Sequence, residues 1–154
     1  MAQLVRVTVR RYDPRRDPAP YDETYEVPVS DTTSVTHVLY EINKRYGAGI
    51  AYRVSCHRGI CASCRMKVNG KARLACCYPV VGGDVLRLEP ATPPPVIKDL
   101  VVDFSTFWAQ YESIEPWLKT YTPAPAKERR QSPAERERLD GLYECILCAC
   151  CSTA

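Results

Sequence analysis

Residues 55–64 read SCHRGICASC, and LAC follows at 74–76. In these stretches Cys56, Cys61 and Cys64 are spaced C-x4-C-x2-C, and Cys76 comes after eleven intervening residues. That is the ligand spacing of plant-type [2Fe–2S] centres. The residue types suit the chemistry. Each iron takes two thiolates, and the sulfurs need backbone N–H donors close by. A loop carrying Ser55, Gly59, Ala62 and Ser63 lets the backbone approach that closely. Asn69-Gly70 is a hairpin signal because both turn positions favour positive φ, and the hairpin would return Cys76 to the loop. Spacing alone leaves two other readings open. Structural zinc sites normally use two short C-x2–4-C pairs, and free cysteines are often simply buried. Rieske ligation needs two histidines on one iron; His57 has no C-x-x-H counterpart, so that reading is rejected.

The flanks of the loop read as strands and one helix. Val5, Val7 and Val9 alternate with Arg6, Thr8 and Arg10 over residues 4–10, the period of a half-buried strand. Residues 11–23, with Pro14, Pro18 and Pro20, read as an exposed connection. Tyr25, Val27 and Val29 alternate again, and Pro28, which lacks an N–H, points to a sheet edge. After the capping run Asp31–Ser34, the residues Val35, Val38, Leu39, Ile42 and Tyr46 recur at helical spacing until Gly47 and Gly49. Residues 66–68 and 72–75 form the arms of the expected hairpin, and 85–88 a last short strand. The proline-rich run PATPPP at 90–95 reads as a stiff linker.

Beyond it the pattern turns helical. Leu100, Val101, Phe104, Phe107, Trp108 and Tyr111 recur at three and four, an aromatic stripe that predicts one helix up to Pro116 and a partner or interdomain surface. Ser132-Pro133-Ala134-Glu135 is a capping box, opening a helix expected to carry Leu139 and Leu142 into a second cysteine group. There Cys145, Cys148 and Cys151 are spaced C-x2-C-x2-C, the start of the bacterial ferredoxin pattern, which continues x3-C-P. Ser152-Thr153-Ala154 stand in its place, so three thiolates leave a four-ligand site one short, and zinc on three cysteines remains an alternative. Cys150 and Cys77 fall out of ligand register and are expected to pack as small hydrophobes. His57 is expected to be an exposed loop residue. Arg53, Arg58, Arg65 and Lys67 are expected to surround the first loop, where cations favour a reduced, more anionic centre.

Composition narrows the classes. The 154 residues carry 21 Lys+Arg against 18 Asp+Glu, a net +3, with no basic stripe of the kind nucleic acid requires. No apolar run approaches the ~18 residues of a membrane span. Nine cysteines cannot close into a complete set of disulfides. Without a secretion signal, clustered thiols point to metal or redox chemistry in a reducing compartment.

With SCHRGICASC and LAC, PVIKDLVVD at 95–103 and LDGLYECILCACCST at 139–153, the chain resembles the iron–sulfur subunit of succinate dehydrogenase and fumarate reductase. The resemblance implies an α+β chain. It would consist of a β-grasp plant-type [2Fe–2S] ferredoxin domain at 1–95 and an incomplete helical segment at 96–154. The latter would begin a bacterial two-cluster domain for a [4Fe–4S] and a [3Fe–4S] centre. Matched by position, Cys56, Cys61, Cys64 and Cys76 take the [2Fe–2S] roles. Cys145, Cys148 and Cys151 take three of four [4Fe–4S] roles, a centre formed only if a fourth ligand comes from elsewhere. The implied function is electron relay in succinate:quinone oxidoreductase (complex II), from the FAD of a flavoprotein partner toward membrane quinone. Membrane anchor subunits would be further partners, and no catalytic residue is assigned to this chain. The implied location is peripheral, on the cytoplasmic side of a bacterial inner membrane or the matrix side of the mitochondrial one. Fumarate reduction and a stand-alone soluble [2Fe–2S] carrier are the alternatives. His57 and Ala62 stand where the family usually has Arg and Gly, and the remaining ligands would lie beyond residue 154. The expectation is therefore a fragment, or a split subunit completed by a second chain.

Overall fold

The computed structural model describes residues 3–153. The valine alternation does what its period dictates: in β1 (Gln3–Arg11) Val5, Val7 and Val9 are fully buried while Leu4 and Arg6 face out. β2 (Tyr21–Val29) pairs with it antiparallel, setting Val5 opposite Val27 and Val7 opposite Tyr25. β2 starts earlier than the valine pattern suggests. Its first residues are held by polar cross-strand pairs: Thr8 to Thr24 at 3.0 Å, and Asp22 to Arg87 at 2.8 Å. Such pairs stabilise a sheet without an apolar signature.

β3 (Thr33–Ser34) leads into α1 (Val35–Tyr46). The Ser34 hydroxyl accepts from the His37 N–H at the start, and Gly47 at φ 62° closes the end. α1 buries Val35, Val38, Leu39 and Ile42 against the sheet. β4 (Arg65–Val68) and β5 (Lys71–Leu74) form the expected hairpin, with Asn69 and Gly70 at φ 50° and 78°. A 3-10 turn at Ala75–Cys77 follows. β6 (Pro79–Val80) then pairs with β3, and β7 (Val85–Glu89) enters the sheet between β1 and β4. The order is β2-β1-β7-β4-β5, with β1 and β7 parallel and the other neighbours antiparallel. A mixed sheet with one helix across its face thus presents the cysteine loop between α1 and β4. Pro28 lies in edge strand β2, where a missing N–H is harmless.

The stripe from Leu100 to Tyr111 is not one helix. β8 (Val96–Lys98) and β9 (Val101–Val102) form a small antiparallel pair, and α2 begins only at Ser105, running Ser105–Ser113. The chain turns at Asp99, φ 46°, whose carboxylate accepts from the N–H groups of Tyr12 (3.1 Å) and Ala51 (2.9 Å). Leu100 is buried in the first core rather than on a helical face. The same carboxylate receives Arg11 Nε at 3.0 Å, and Arg11 also donates to Glu23, Tyr25 and the Ala48 carbonyl. Both ends of this ion pair are buried.

No residue of α2 is buried; Phe107, Trp108 and Tyr111 stack edge-on along it. α3 (Pro133–Glu137) has the expected capping box, the Ser132 hydroxyl accepting from Glu135 N–H and the Glu135 carboxylate from Ser132 N–H. It does not reach Leu142. Leu139, Asp140 and Leu142 donate to carbonyls three residues back, and Gly141 at φ 80° turns the chain. The chain divides into two compact units, Met1–Phe104 with Leu147–Ala154, and Ser105–Ile146. β8 and β9, beyond the proline run, group with the first.

Candidate metal centre

The loop from Ser55 to Ser63 has no strand or helix. Its backbone is instead bent through the left-handed region at His57 (φ 55°), Gly59 (70°) and Ala62 (59°). Alternating bends of this sort turn successive N–H groups inward, a concavity that suits anions. Here the N–H groups meet sulfur. Cys56 Sγ accepts from Arg58, Ile60 and Cys61 at 3.4, 3.4 and 3.3 Å. Cys61 Sγ accepts from Cys56 N–H at 3.5 Å, and Cys76 Sγ from Gly59 N–H at 3.3 Å. Cys64 Sγ accepts from Cys76 N–H at 3.5 Å. The four thiols therefore come together as two neighbouring pairs, Cys56 with Cys61 and Cys64 with Cys76.

Among the described residues, no three His, Cys, Asp or Glu side chains converge on one ion position. Two-by-two is the division a two-iron centre requires. Soft donors in pairs and inward-facing N–H groups fit a [2Fe–2S] centre. Gly59 adds a close-approach constraint: a Cβ there would lie 2.7 Å from Cys77 Sγ, so at φ 70° any other residue would be strained and would have to displace the Cys77 side chain.

The pairs differ in environment. The Ser63 hydroxyl, 3.1 Å away, and the N–H groups of Cys56 and Ser63 bring the Cys61 thiol down to about 6. The N–H groups of Arg58, Cys61 and Ile60 lower that of Cys56. Burial pushes the Cys64 thiol up to about 11. Because thiolates are the nucleophiles, alkylation of the metal-free chain at pH 7 should label Cys61 well before Cys64. Cys61 labelling should level off above pH 7, while Cys64 labelling still climbs at pH 10. Equal rates across that range would refute the arrangement.

Ala62 carries the same left-handed backbone without glycine's freedom. An L-residue pays about 1–2 kcal/mol there, partly offset by glycine's greater unfolded-state entropy. Ala62→Gly should therefore stabilise the chain by about 0.5–1 kcal/mol, read as a higher urea midpoint.

Several expectations change. Cys77 is exposed rather than buried, 3.7 Å from Cys76 Sγ. Arg53 and Arg58 are exposed, and His57 is exposed as expected. Arg65, expected around the loop, is buried beneath it. Its Nη1 donates to the Cys148 carbonyl at 3.1 Å and its Nη2 to the Ala91 carbonyl at 3.4 Å, and the guanidinium lies 4.2 Å from the Phe104 ring centre. Spacing gave no hint of this, because Arg65 owes its burial to residues 26 to 83 positions away. The inward N–H donors were likewise invisible, since any residue supplies one.

At the C-terminal cysteines, Cys148 is bracketed by left-handed Leu147 (φ 55°) and Ala149 (54°). Cys148 and Cys150 are half-buried, and Cys145 and Cys151 are exposed. Burial and the neighbouring Cys148 push the Cys150 thiol up to about 12. Cys145 belongs to the second compact unit and Cys148 to the first.

The family described as "2Fe-2S iron-sulfur cluster binding domain" matches residues 6–109. The chain is 47% identical over 141 residues to the mitochondrial succinate dehydrogenase [ubiquinone] iron-sulfur subunit 2 of Oryza sativa subsp. japonica, covering 88% of this chain and 45% of that protein. It is 43% identical over 152 residues to the succinate dehydrogenase iron-sulfur subunit of Paracoccus denitrificans, covering 97% and 58%. Among solved structures, a chain of the Mycobacterium smegmatis Sdh1 complex in the apo form superposes with a TM-score of 0.83 at 25% identity, covering 99% of this chain and 64% of that one. The chain thus spans about half the length of the curated relatives it matches. With paired thiols, inward N–H groups and this match over residues 6–109, the chain belongs to the family of 2Fe-2S iron-sulfur cluster binding domains.

Proposed function

We propose that the chain is the electron-transfer iron–sulfur part of a succinate:quinone oxidoreductase, passing electrons from the FAD of a flavoprotein partner toward membrane quinone. The observation that carries this reading is the gathering of Cys56, Cys61, Cys64 and Cys76 into two pairs under backbone N–H groups. The succinate dehydrogenase relatives supply the enzyme class. When bound, a [2Fe–2S] centre accepts and releases single electrons. The chain's residues do the holding and the tuning. Cys56 and Cys61 would hold one iron, and Cys64 and Cys76 the other. The N–H groups of Arg58, Gly59, Ile60 and Cys61 stabilise the added negative charge by donating to the sulfurs. Exposed Cys61 and Ile60 mark the face by which electrons enter or leave.

In this reading residues 1–95 are a β-grasp [2Fe–2S] domain, and residues 96–154 begin a second, ferredoxin-like domain. Cys145, Cys148 and Cys151 then hold part of a [4Fe–4S] centre, with a fourth ligand from elsewhere. Among the described residues no helix is long and apolar enough to cross a membrane, so membrane association is assigned to anchor subunits. The site faces the cytoplasm in bacteria or the matrix in mitochondria, where the flavoprotein partner works. The test is reduction by succinate. The chain, reconstituted anaerobically and mixed with its flavoprotein, should show a [2Fe–2S] EPR signal within seconds of adding succinate. A centre that dithionite reduces but succinate with flavoprotein does not would overturn the assignment.

A further inference from the structure

Arg65 ties the [2Fe–2S] sheet to the C-terminal cysteine segment, one arm of its guanidinium reaching Cys148 and the other Ala91. It follows ligand Cys64 directly in the chain and begins β4, yet it is only 4% exposed. Nη1 donates to the Cys148 carbonyl and Nη2 to the Ala91 carbonyl, and Phe104 offers its ring face. Nε is buried with no hydrogen-bond partner. A buried donor left unsatisfied on a charged group is costly, so this N–H is available to an acceptor brought to the site. Burial disfavours the guanidinium's charge. Its two hydrogen bonds go to carbonyls, the Cys148 and Ala91 oxygens, rather than to carboxylates.

We infer that Arg65 is a positioning residue for the C-terminal cysteine site. It clamps the backbone of Cys148 to the [2Fe–2S] domain and sets a buried cation, with one N–H to spare, against the anionic sulfur centre bound at Cys148. The electrostatic half rests on the reading of Cys148 as an iron ligand; the clamp does not. A fixed cation in a low-dielectric setting favours the more negative, reduced form of such a centre and so raises its potential. Lysine would keep the charge, but its single ammonium cannot span both carbonyls as the planar fork does.

Cys148 and Cys150 line a cleft of ≈ 440 Å³ with Arg73, Leu74, Cys77 and Tyr78. A small alkylating reagent can therefore report how firmly the segment is held. The full chain carrying its [2Fe–2S] centre is treated anaerobically with N-ethylmaleimide, and each cysteine is quantified by mass spectrometry. Arg65→Met should raise labelling at Cys148 and Cys150 by about tenfold, the loss of charged hydrogen bonds that hold a local segment closed. Labelling at Cys64 should not change. Arg65→Lys should also raise it, by less. If Arg65→Met does not fold, Arg65→Lys alone decides. Labelling equal to wild type in every variant that folds overturns the clamp. In the assembled complex, a redox titration followed by EPR should move the centre at Cys148 to lower potential in Arg65→Met, with Arg65→Lys close to wild type. An unmoved potential overturns the electrostatic half. No iron–sulfur signal at Cys148 in wild type, with labelling changed as stated, removes the ligand reading and the electrostatic half with it, and leaves the clamp supported.

Discussion

Cys76→Ala should abolish the [2Fe–2S] centre, and Cys77→Ala should leave it in place. The two residues are adjacent, both thiols, and only 3.7 Å apart at sulfur, so they provide a demanding contrast. Cys76 Sγ receives the Gly59 N–H, and its own N–H is donated to Cys64 Sγ. Cys77 Sγ instead lies where a Cβ on Gly59 would meet it and, with Cys148 and Cys150, lines the outer cleft. Removing Cys76 leaves one iron with a single protein thiolate and takes away the acceptor of the Gly59 N–H. Metal binding is coupled to folding at such sites. Iron content of the reconstituted chain should therefore fall from two per chain to near zero in Cys76→Ala, and the visible charge-transfer bands should vanish. Cys77→Ala should retain both. The reverse outcome would show that Cys77 is the ligand and would require the 3-10 turn at Ala75–Cys77 to rotate.

The largest purely structural effect is expected at Asp99. Asp99→Ala should destabilise the first compact unit by about 3 kcal/mol or more, because it strands Arg11 as a buried charge with half of its counter-charge gone. It also leaves the N–H groups of Tyr12 and Ala51 without their acceptor. For a domain whose total stability is on the order of 5–15 kcal/mol, that is a large share. Asp99→Asn should cost less, since its amide oxygen can still accept from the backbone. Urea unfolding monitored by circular dichroism measures both. Since Ala51 leads into the cysteine loop, Asp99→Ala should also slow cluster reconstitution. If Asp99→Ala shifts the urea midpoint no more than a surface substitution, Arg11 has found water and the network is not a fixed element.

Much of the molecule is local in origin and could be read from residue order. β1 follows from valines at every second position, α1 from apolar residues at helical spacing between Ser34 and Gly47, and the β4–β5 hairpin from Asn69-Gly70. The proposed ligand set of the first centre rests on cysteine spacing, which matches the plant-type pattern along the chain. The capping box at Ser132–Glu135 is equally local, and it forms.

What residue order left undecided depends on residues far apart. Leu100 and Val101 fit a helical stripe as well as a strand. Burial of Leu100 in the first core and the hold of Asp99 on Tyr12, Ala51 and Arg11 select the strand pair β8–β9. The helix expected through Leu142 stops at Glu137 because a five-residue helix with no buried face has only its cap to sustain it, and Gly141 turns the chain. Arg65 counted as one of four basic residues near the loop; packing alone makes it a buried clamp to Cys148. Sequence by itself thus determined those elements whose signal is local and singled out the candidate thiols, since these rest on periodicity and spacing along the chain. Only the tertiary structure decided which charges lie inside, which N–H groups face sulfur, and where a stripe breaks, since each depends on a partner brought close by the fold.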